Sequence, residues 1–508
     1  MQKHGYFLGI DVGTQSLKIG IYNHAGKKFY QDQQPYPTYF DHAGCAEQDA
    51  EDWWAALLTI MNRAKSEVDL NQIAALAVCA TSSTVLLTDT NGRPLRRAVC
   101  WMDQRATPQE ESINSVEDAH VQDILQYAGG KVSGEWMTAK SIWFKEQGLL
   151  TKGRYLFEQL DWFNFRLTGK RVASKCNASC KWNYIEGKDG FSPLFFEKIG
   201  FHDYTAYWPS EVVKVGGKIA GLTDHAAAQL GLKKATPVYQ GGIDAHVGMI
   251  GSNAISKGKM SLITGTSFVH LIHHHEPVFQ PGLWGPYQAP LVDGHWLLEG
   301  GQLSCGSLIS WFFKEFEEGV KTNGKFNQLI AECQDISPGS EGLVMLDSWQ
   351  GNRTPYRNPH ASGGLIGLTL AHSKYHIFRA ILESTAYGTK HVIETFQKGG
   401  ITVDRIVAGG GGTKNELWMQ IISDVTGISI ETTTDTETGA RGAAIIAAYG
   451  AGYFTNLFTA ADQMVHISKT YSPNRTMTIR YQDYYQLYLE LNRTLFPVMK
   501  ELRHLSPI

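Results

Sequence analysis

The feature that most constrains the fold of this chain is a strand–turn–strand unit that occurs twice, about half the chain apart. In the order strand, turn, strand, the first copy is residues 6–11, 12–16 and 17–22, and the second is residues 259–263, 264–267 and 268–272. Each turn contains Gly-Thr among small and hydroxyl residues. A chance repeat of Gly-Thr is common, but recurrence of the whole unit predicts two copies of one α/β unit facing each other across a cleft.

The elements expected between and after the two copies alternate in the manner of an α/β fold. Strands are predicted at 73–80, 85–88, 342–346 and 405–408, and helices at 52–68, 376–395, 416–426, 440–449 and 481–502. A chain of 508 residues exceeds what one hydrophobic core usually serves. We expect an N-terminal domain over residues 1–250, a C-terminal domain over 251–470 and a helical tail over 471–508 that packs on the body.

The bulk composition excludes several classes of protein. A formal net charge of −3, with 43% hydrophobic and 19% charged residues, gives no basic face for nucleic acid. The start of the chain enters a strand-like run directly, without a signal peptide, and no uncharged apolar run is long enough to cross a membrane. We therefore expect a cytoplasmic protein.

Cysteine and histidine usage gives no sign of a metal site. The seven cysteines are scattered and odd in number, which favours a reducing compartment over a disulfide framework. Cys176 and Cys180 lie four residues apart, but no second Cys/His pair nearby completes a zinc site. The run His273–His275 has no thiol partner set, and no metal is expected there.

A glycine-flanked aspartate lies almost at the middle of the chain. Asp244 stands within residues 241–248 and follows the β-type run 236–239. Flanking glycines let the backbone bend sharply and allow another molecule to approach. A carboxylate held there accepts a proton from a hydroxyl or binds a metal. The structural alternative is that Asp244 caps the helix that follows it.

Three glycine- or hydroxyl-rich turns, each at a strand end, suit a polyphosphate, because such turns direct backbone N–H groups and hydroxyls at anionic oxygens. Residues 13–16 and 265–267 are expected to hold phosphates from opposite sides. The four glycines at 409–412, followed by a helix start, are expected to hold a nucleoside. None of these turns is a Walker loop or the dinucleotide-binding fingerprint.

Several of these stretches together resemble the FGGY carbohydrate kinases of the actin-like ATPase superfamily. The stretches are residues 9–18, 101–105, 243–246, 264–266, 379–387 and 408–411, in order along essentially the whole chain. The resemblance implies an α/β fold with two ribonuclease-H-like domains around a central cleft. Residues 180–184, 243–246, 281–287, 298–302 and 347–355 are most similar to the ribulokinase branch, and to D-ribulokinases in particular. Residues 80–84 and 347–350 depart from that branch's pattern, which leaves the ketose open.

The resemblance also implies cofactors and site residues. ATP and Mg²⁺ are the expected cofactors, with Asp244 as the catalytic base and sugar contact and Asp11 and Asp244 as metal ligands. Contacts to ATP and its phosphates are expected from Thr14, Gln15, Ser16, Lys18, Gly265, Thr266, Gly410, Gly411 and Asn415. Sugar contacts are expected from Ser82, Ser83, Lys181 and Glu299. Three of these residues have structural alternatives: Asp11 as a turn former, Lys18 as a solvated lysine and Asn415 as a helix start. Trp101, Asp103 and Arg105 either brace the sugar domain or touch substrate.

The predicted reaction is ATP-dependent phosphorylation of the terminal hydroxyl of a ketopentose, best matched by D-ribulose. L-Ribulose or another pentulose or pentitol remains an alternative substrate, because epimers differ by one hydroxyl direction. A non-catalytic ATP- and sugar-binding sensor is the alternative from a different class. The expected position of Asp244 as a base at the point of phosphoryl transfer argues against a sensor, because a sensor needs no base there. A homodimer is expected from the resemblance alone, with no nucleic-acid or membrane partner.

Overall fold

The computed structural model describes residues 5–317 and 323–505 of the chain. The strands of the first half are β1 (Tyr6–Val12), β2 (Ser16–Tyr22), β3 (Lys28–Pro35), β4 (Glu47–Gln48), β5 (Ile73–Ala80), β6 (Val85–Asp89), β7 (Ala98–Val99), β8 (Arg154–Glu158), β9 (Ala173–Ser174), β10 (Val212–Val213), β11 (Lys218–Gly221) and β12 (Pro237–Tyr239). The helices of this half are α1 (Ala50–Ala64), α2 (Thr107–Asn114), α3 (Ala119–Leu125), α4 (Met137–Glu146), α5 (Gln159–Thr168), α6 (Lys175–Lys181), α7 (Pro193–Lys198), α8 (Asp224–Leu230) and α9 (Asp244–Gly251).

The second half continues the alternation of strands and helices. Its strands are β13 (Lys259–Thr264), β14 (Phe268–His274), β15 (Trp284–Gln288), β16 (Trp296–Gln302), β17 (Val344–Leu346), β18 (Gly364–Ile366), β19 (Arg405–Gly409), β20 (Ile430–Thr433) and β21 (Ile467–Tyr471). Its helices are α10 (Gly306–Phe316), α11 (Asn323–Gln334), α12 (Lys374–Lys398), α13 (Glu416–Thr426), α14 (Thr438–Gly450), α15 (Leu457–Met464) and α16 (Arg475–Leu505). None of the helices in the described ranges is both long and apolar enough to span a membrane.

The two α/β units predicted from the repeat appear as two mixed sheets of matching topology. The first sheet has the order β11-β12-β5-β1-β2-β3, and the second β15-β16-β14-β13-β19-β20-β21. In each sheet the repeated unit pairs antiparallel and a third strand continues the meander. The fourth and fifth strands then lie parallel to the first. Apart from the added edge strands β11, β15 and β21, both sheets have the order 3-2-1-4-5 along the chain.

Two helices, α9 and α14, cross between the halves at very short range. A Cβ atom built on Gly442 would lie 2.2 Å from the Val247 carbonyl oxygen, and one built on Gly251 would lie 1.9 Å from the Thr438 carbonyl oxygen. Helix α14 also presses against β1, where a Cβ on Gly9 would meet the Ala440 carbonyl oxygen at 1.8 Å. Glycine is therefore required sterically at these crossings, which bring the starts of both helices to the end of β1.

We expect Gly442→Ala to destabilise the protein by about 3 kcal/mol, the upper end for overpacking, because the obstructing atoms are backbone. Equilibrium urea denaturation measures the change. Gly364→Ala is the matched control. A Cβ atom built on Gly364 would lie 3.4 Å from the nearest atom of the Leu346 side chain, which is an ordinary van der Waals contact. Equal losses in the two variants would contradict a steric requirement at the helix crossing.

The C-terminal helix α16 begins earlier than predicted, at Arg475, and its buried tyrosines belong to the core of the second half. Its Tyr481 hydroxyl donates to Glu383 Oε1 at 2.9 Å and accepts from Arg379. Its Tyr488 hydroxyl donates to Asp347 Oδ1 at 2.7 Å. These buried hydrogen bonds tie α16 to α12 and β17. Asp347, which lies in a stretch similar to ribulokinases, therefore anchors the tail.

Candidate active site

Two half-buried carboxylates occupy the junction of the sheet and the crossing helices. Asp11 stands near the end of β1, and Asp244 is the first residue of α9. Burial, followed by the charge of Asp244, raises the pKa of Asp11 to about 7. Burial also raises the pKa of Asp244. Within the described chain, Asp11 Oδ1 is buried without a hydrogen-bond partner. Two carboxylates close enough for the charge of Asp244 to raise the pKa of Asp11, together with an unsatisfied oxygen, make a position suited to a cation.

Asp244 does not cap its helix in the way the structural alternative supposes. The N-cap of α9 is Ile243, which forms a parallel bridge with Ala80, and Asp244 follows it directly. Asp244 Oδ1 accepts one hydrogen bond from the Ala245 backbone N–H at 2.6 Å. The second carboxylate oxygen therefore remains available to another molecule.

The starts of α9 and α14 meet at this carboxylate pair. A Cβ atom on Gly439, in the first turn of α14, would lie 2.4 Å from Asp11 Oδ2, so only glycine admits the carboxylate there. A Cβ on Gly409 would meet the Thr438 side chain at 2.8 Å. Helix N-termini carry unpaired N–H groups and partial positive charge, which stabilise anions.

The first hydroxyl-rich turn is closed by a hydrogen bond from the Gly13 N–H to the Ser16 carbonyl at 3.1 Å. Trp101 Nε1 donates to Thr14 Oγ1 at 3.1 Å, while Gln15 is exposed and Ser16 half-buried. Lys18 is half-buried and forms an ion pair with Glu437, just before α14, at 2.6 Å. The alternative of a freely solvated Lys18 is therefore wrong.

The second turn is also closed by a backbone hydrogen bond from its glycine, over one residue fewer than the first. The Gly265 N–H donates to the Ser267 carbonyl at 3.1 Å, and the Thr266 carbonyl accepts from the N–H groups of Cys305 and Ser307. A Cβ atom built on Gly265 would meet only the Ser267 carbonyl at 3.6 Å. The turn is thus fixed from behind by the start of α10 and open on its other side.

The third loop packs against the end of β13. Thr264 Oγ1 donates to the Gly409 carbonyl at 2.7 Å, and Gly410 has φ = +91°, a conformation that favours glycine. A Cβ built on Gly411 would meet nothing within 4 Å. Asn415 caps α13, its Oδ1 accepting from the Trp418 N–H at 3.0 Å. Asn415 therefore acts as the N-cap of α13. Gly411, earlier in the same loop, is exposed and leaves open space beside the loop.

A buried ion pair joins the two halves of the chain. Lys181 Nζ, at the end of α6, lies 3.6 Å from Glu299 Oε2 on β16. His246 Nε2 lies 3.7 Å from the same oxygen. Burial alone would raise the pKa of Glu299, but Lys181 and His246 hold it well below its usual range. The aromatic rings of Trp136 and Tyr287 lie 5.1 and 5.4 Å from Lys181 Nζ. His246 follows Asp244 by two residues on α9, so the helix that begins at the carboxylate site also approaches this pair.

Ser82 and Ser83 follow β5 in a turn whose backbone is fixed from two sides. Ser83 has φ = +64°; its N–H donates to Glu158 Oε2 at 2.9 Å, and its carbonyl accepts from Lys140 Nζ at 2.7 Å. The Ser83 side chain is buried, whereas Ser82 is half-buried. Burial lowers the pKa of Lys140 to about 8. Sequence reasoning missed Glu158 and Lys140, because neither belongs to a motif.

We expect Glu158→Ala to cost about 3–9 kcal/mol of stability. Glu158 accepts hydrogen bonds from the Ser83 N–H, Asn177 Nδ2 and Trp182 Nε1, and their loss leaves three buried donors unpaired at about 1–3 kcal/mol each. Urea denaturation gives the value. Glu51→Ala, which removes an exposed partner of Arg166, should cost less than about 1 kcal/mol. A comparable small loss for Glu158→Ala would refute its anchoring role.

The alternative of a bracing role holds for Asp103 and Arg105. Asp103 Oδ2 accepts from the Ala46 N–H at 2.7 Å and from the Arg105 guanidinium at 2.8 Å. Arg105 also pairs with Glu47 at 2.7 Å. These contacts hold the segment that carries Trp101 against the first turn.

Comparison with family models covers most of the chain. The model described as "FGGY family of carbohydrate kinases, N-terminal domain" matches residues 6–251, and the corresponding C-terminal domain model matches residues 260–451. An FGGY carbohydrate kinase domain-containing protein of Homo sapiens is 30% identical over 96% of this chain and 96% of its own length. A ribulokinase of Mycolicibacterium smegmatis is 32% identical over 87% of this chain and 83% of its own length.

Solved structures give the same fold at lower identity. A xylulose kinase from Rhodospirillum rubrum is 24% identical with a TM-score of 0.85, covering 97% of this chain and 99% of its own. A gluconate kinase from Lactobacillus acidophilus is 22% identical with a TM-score of 0.85, covering 98% and 99%. The predicted α/β fold class, with two ribonuclease-H-like domains around a cleft, is therefore confirmed.

Proposed function

Since the chain belongs to the FGGY family of carbohydrate kinases, we propose that it transfers the γ-phosphoryl group of ATP to the terminal hydroxyl of D-ribulose, giving D-ribulose 5-phosphate. Carbohydrate kinase activity follows from the family. Ribulose as the sugar is supported by relatives named ribulokinase, and the D form is chosen on the resemblance in the sequence. The single observation that carries the proposal is the buried Lys181–Glu299 pair, whose carboxylate lies 3.7 Å from His246 on the helix that begins at Asp244.

Asp244 acts as the base in this proposal. It accepts the proton of the terminal hydroxyl as that oxygen attacks the γ-phosphorus in line. Burial raises the pKa of this carboxyl, which strengthens it as a proton acceptor relative to an exposed aspartate. Most of the remaining rate enhancement in phosphoryl transfer comes from positioning and electrostatic stabilisation.

Asp11 and Asp244 are the residues that would hold Mg²⁺. The unpaired oxygen of Asp11 and the raised pKa values of both carboxyls fit a hard cation between them. When bound, the metal neutralises charge on the phosphate oxygens. Asp11 is the ligand from the sheet, and Gly439 leaves the space it occupies.

The three turns hold ATP in this proposal. Thr14, Gln15 and Ser16 contact phosphates from the first half, and Gly265 and Thr266 contact them from the second. Lys18 reaches the phosphates by exchanging Glu437 for them, since both partners of that pair lie beside Asp11. Gly410, Gly411 and Asn415 line the nucleoside position, where Gly411 leaves open space.

The sugar lies against the charged pair. An ammonium and a carboxylate fixed by each other give one donor and one acceptor for neighbouring hydroxyls, with charge-assisted hydrogen bonds. Lys181 supplies the donor and Glu299 the acceptor. Ser82 and Ser83 add contacts from the turn that Glu158 fixes.

The domain division at residues 250 and 470, a homodimer and a cytoplasmic location stay predictions.

The test is ADP release with ATP and Mg²⁺ against D-ribulose, L-ribulose, D-xylulose, L-xylulose, ribitol and glycerol. We expect the highest kcat/KM with D-ribulose. A higher kcat/KM with L-ribulose or a pentitol would support kinase activity but would make that sugar the preferred substrate. ATP binding without turnover of any sugar would contradict the proposal and favour the sensor alternative.

A further inference from the structure

Two cysteines on one helix and a histidine from a distant part of the sequence converge inside the protein. Cys176 and Cys180, at positions i and i+4 of α6, lie on one face of that helix. Their Sγ atoms lie 3.4 and 3.7 Å from His246 Nδ1 on α9. All three residues are buried, and their ligand atoms lie within 4.8 Å of one another. In the part of the chain that the structure describes, no other such group of ligand atoms is found.

The spacing of these atoms matches tetrahedral zinc coordination. With Zn–S at about 2.3 Å and Zn–N at about 2.0 Å, a tetrahedral angle puts sulfur and nitrogen about 3.5 Å apart. The two observed Sγ–Nδ1 distances bracket that value. The two sulfur–nitrogen distances therefore already suit a shared cation, and all three ligand atoms lie within 4.8 Å of one another.

A carboxylate stands where zinc sites usually have one. His246 offers Nδ1 to the sulfurs, while its opposite nitrogen, Nε2, lies 3.7 Å from Glu299 Oε2. Histidines that bind metals commonly donate their other N–H to a carboxylate, which fixes the ring and raises its basicity. This second observation is independent of the sulfur geometry.

We propose that Cys176, Cys180 and His246 bind one zinc-type cation, with Glu299 as the outer partner of His246. This site differs in chemistry from the Asp11–Asp244 position, because thiolate and imidazole select zinc-type ions and carboxylates select magnesium. The cation joins α6, which ends at Lys181, to α9, which begins at Asp244. It braces two walls of the sugar site, and its binding does not depend on the proposed substrate.

The test uses Co²⁺ as a spectroscopic probe on the full-length, reduced, metal-free protein without sugar or ATP. We expect one equivalent per chain to give thiolate-to-cobalt charge-transfer absorption and the strong visible bands of tetrahedral cobalt. Zn²⁺ should abolish both and raise the melting temperature, and excess Mg²⁺ should not compete. Because no substrate is present, failure here is distinct from failure of the proposed kinase reaction.

Variants locate the site. Cys176→Ser and Cys180→Ser should each weaken Co²⁺ affinity at least tenfold and abolish or sharply reduce the charge-transfer band, whereas Cys45→Ser, at a half-buried cysteine elsewhere, should leave it unchanged. Glu299→Gln should weaken affinity about 10–100-fold while keeping tetrahedral bands. Circular dichroism checks that each variant is folded.

Three outcomes would overturn the proposal. One is the absence of the cobalt bands in the wild-type protein, which decides the matter even if the serine variants fail to fold. Another is a charge-transfer band of undiminished intensity and unchanged Co²⁺ affinity in Cys176→Ser. The third is loss of two titratable thiols without metal uptake, which would assign Cys176 and Cys180 to a disulfide.

Discussion

Asp244→Asn is expected to lower kcat with the preferred sugar by about 10²–10⁴-fold, the usual contribution of a positioned base. Asparagine keeps the size of the side chain and can still accept the Ala245 N–H bond, but it cannot take a proton. The affinity for ATP should therefore change far less than kcat. Steady-state kinetics and equilibrium nucleotide binding on the same preparation separate the two effects.

The matched control is Asp224→Asn. Asp224 is also the first residue of a helix, α8, but its side chain is 75% exposed and pairs with Lys234 at the surface. We expect activity within about twofold of wild type, since exposed pairs contribute little. If Asp244→Asn behaved like this control, Asp244 would not be the base.

Glu299→Gln is expected to reduce kcat/KM for the sugar at least about 30-fold, mainly through KM, because removing one partner of a buried charge pair leaves the other charge uncompensated. The substitution leaves Lys181 and His246 facing a neutral amide. The KM for ATP should stay within about twofold, because the proposed function assigns this pair to the sugar and not to ATP. Kinetics with each substrate varied in turn measure both values.

Glu186→Gln provides the comparison for that variant. Glu186 pairs with Lys175 at a shorter distance, 2.7 Å, but its side chain is 55% exposed. Glu186→Gln should therefore change the kinetics little in spite of the shorter distance, because water screens the exposed pair. A rise in the KM for ATP that matches the rise for sugar would contradict the assignment of Glu299 to the sugar.

The fold could be predicted largely from local sequence, because its strands and turns carry strong periodic signals. The repeated strand–turn–strand unit predicted two similar sheets, and both share one strand order. Helix α13 begins at Glu416 and ends at Thr426, as predicted, because Asn415 caps it and Gly427 ends it in the left-handed region. Where signals were weaker, as at the start of α16, the boundary moved by several residues.

The candidate site was predictable only where a motif marked it. Asp11 and Asp244 stood out through their glycine neighbours, but the contact of Asp11 with Gly439 depends on the helix crossing and has no local signal. Glu158 and Lys140 act through partners in distant segments. The same holds for Cys176 and Cys180, whose third partner, His246, lies on another helix.

The proposed reaction is tested most directly by the product formed from uniformly ¹³C-labelled D-ribulose with ATP and Mg²⁺. The reaction should give one sugar phosphate per ADP, with phosphorus coupling at C5 and C4 in the ¹³C spectrum and no product from Asp244→Asn on the same time scale. ADP formed without sugar phosphate, or coupling at C1 instead, would contradict it.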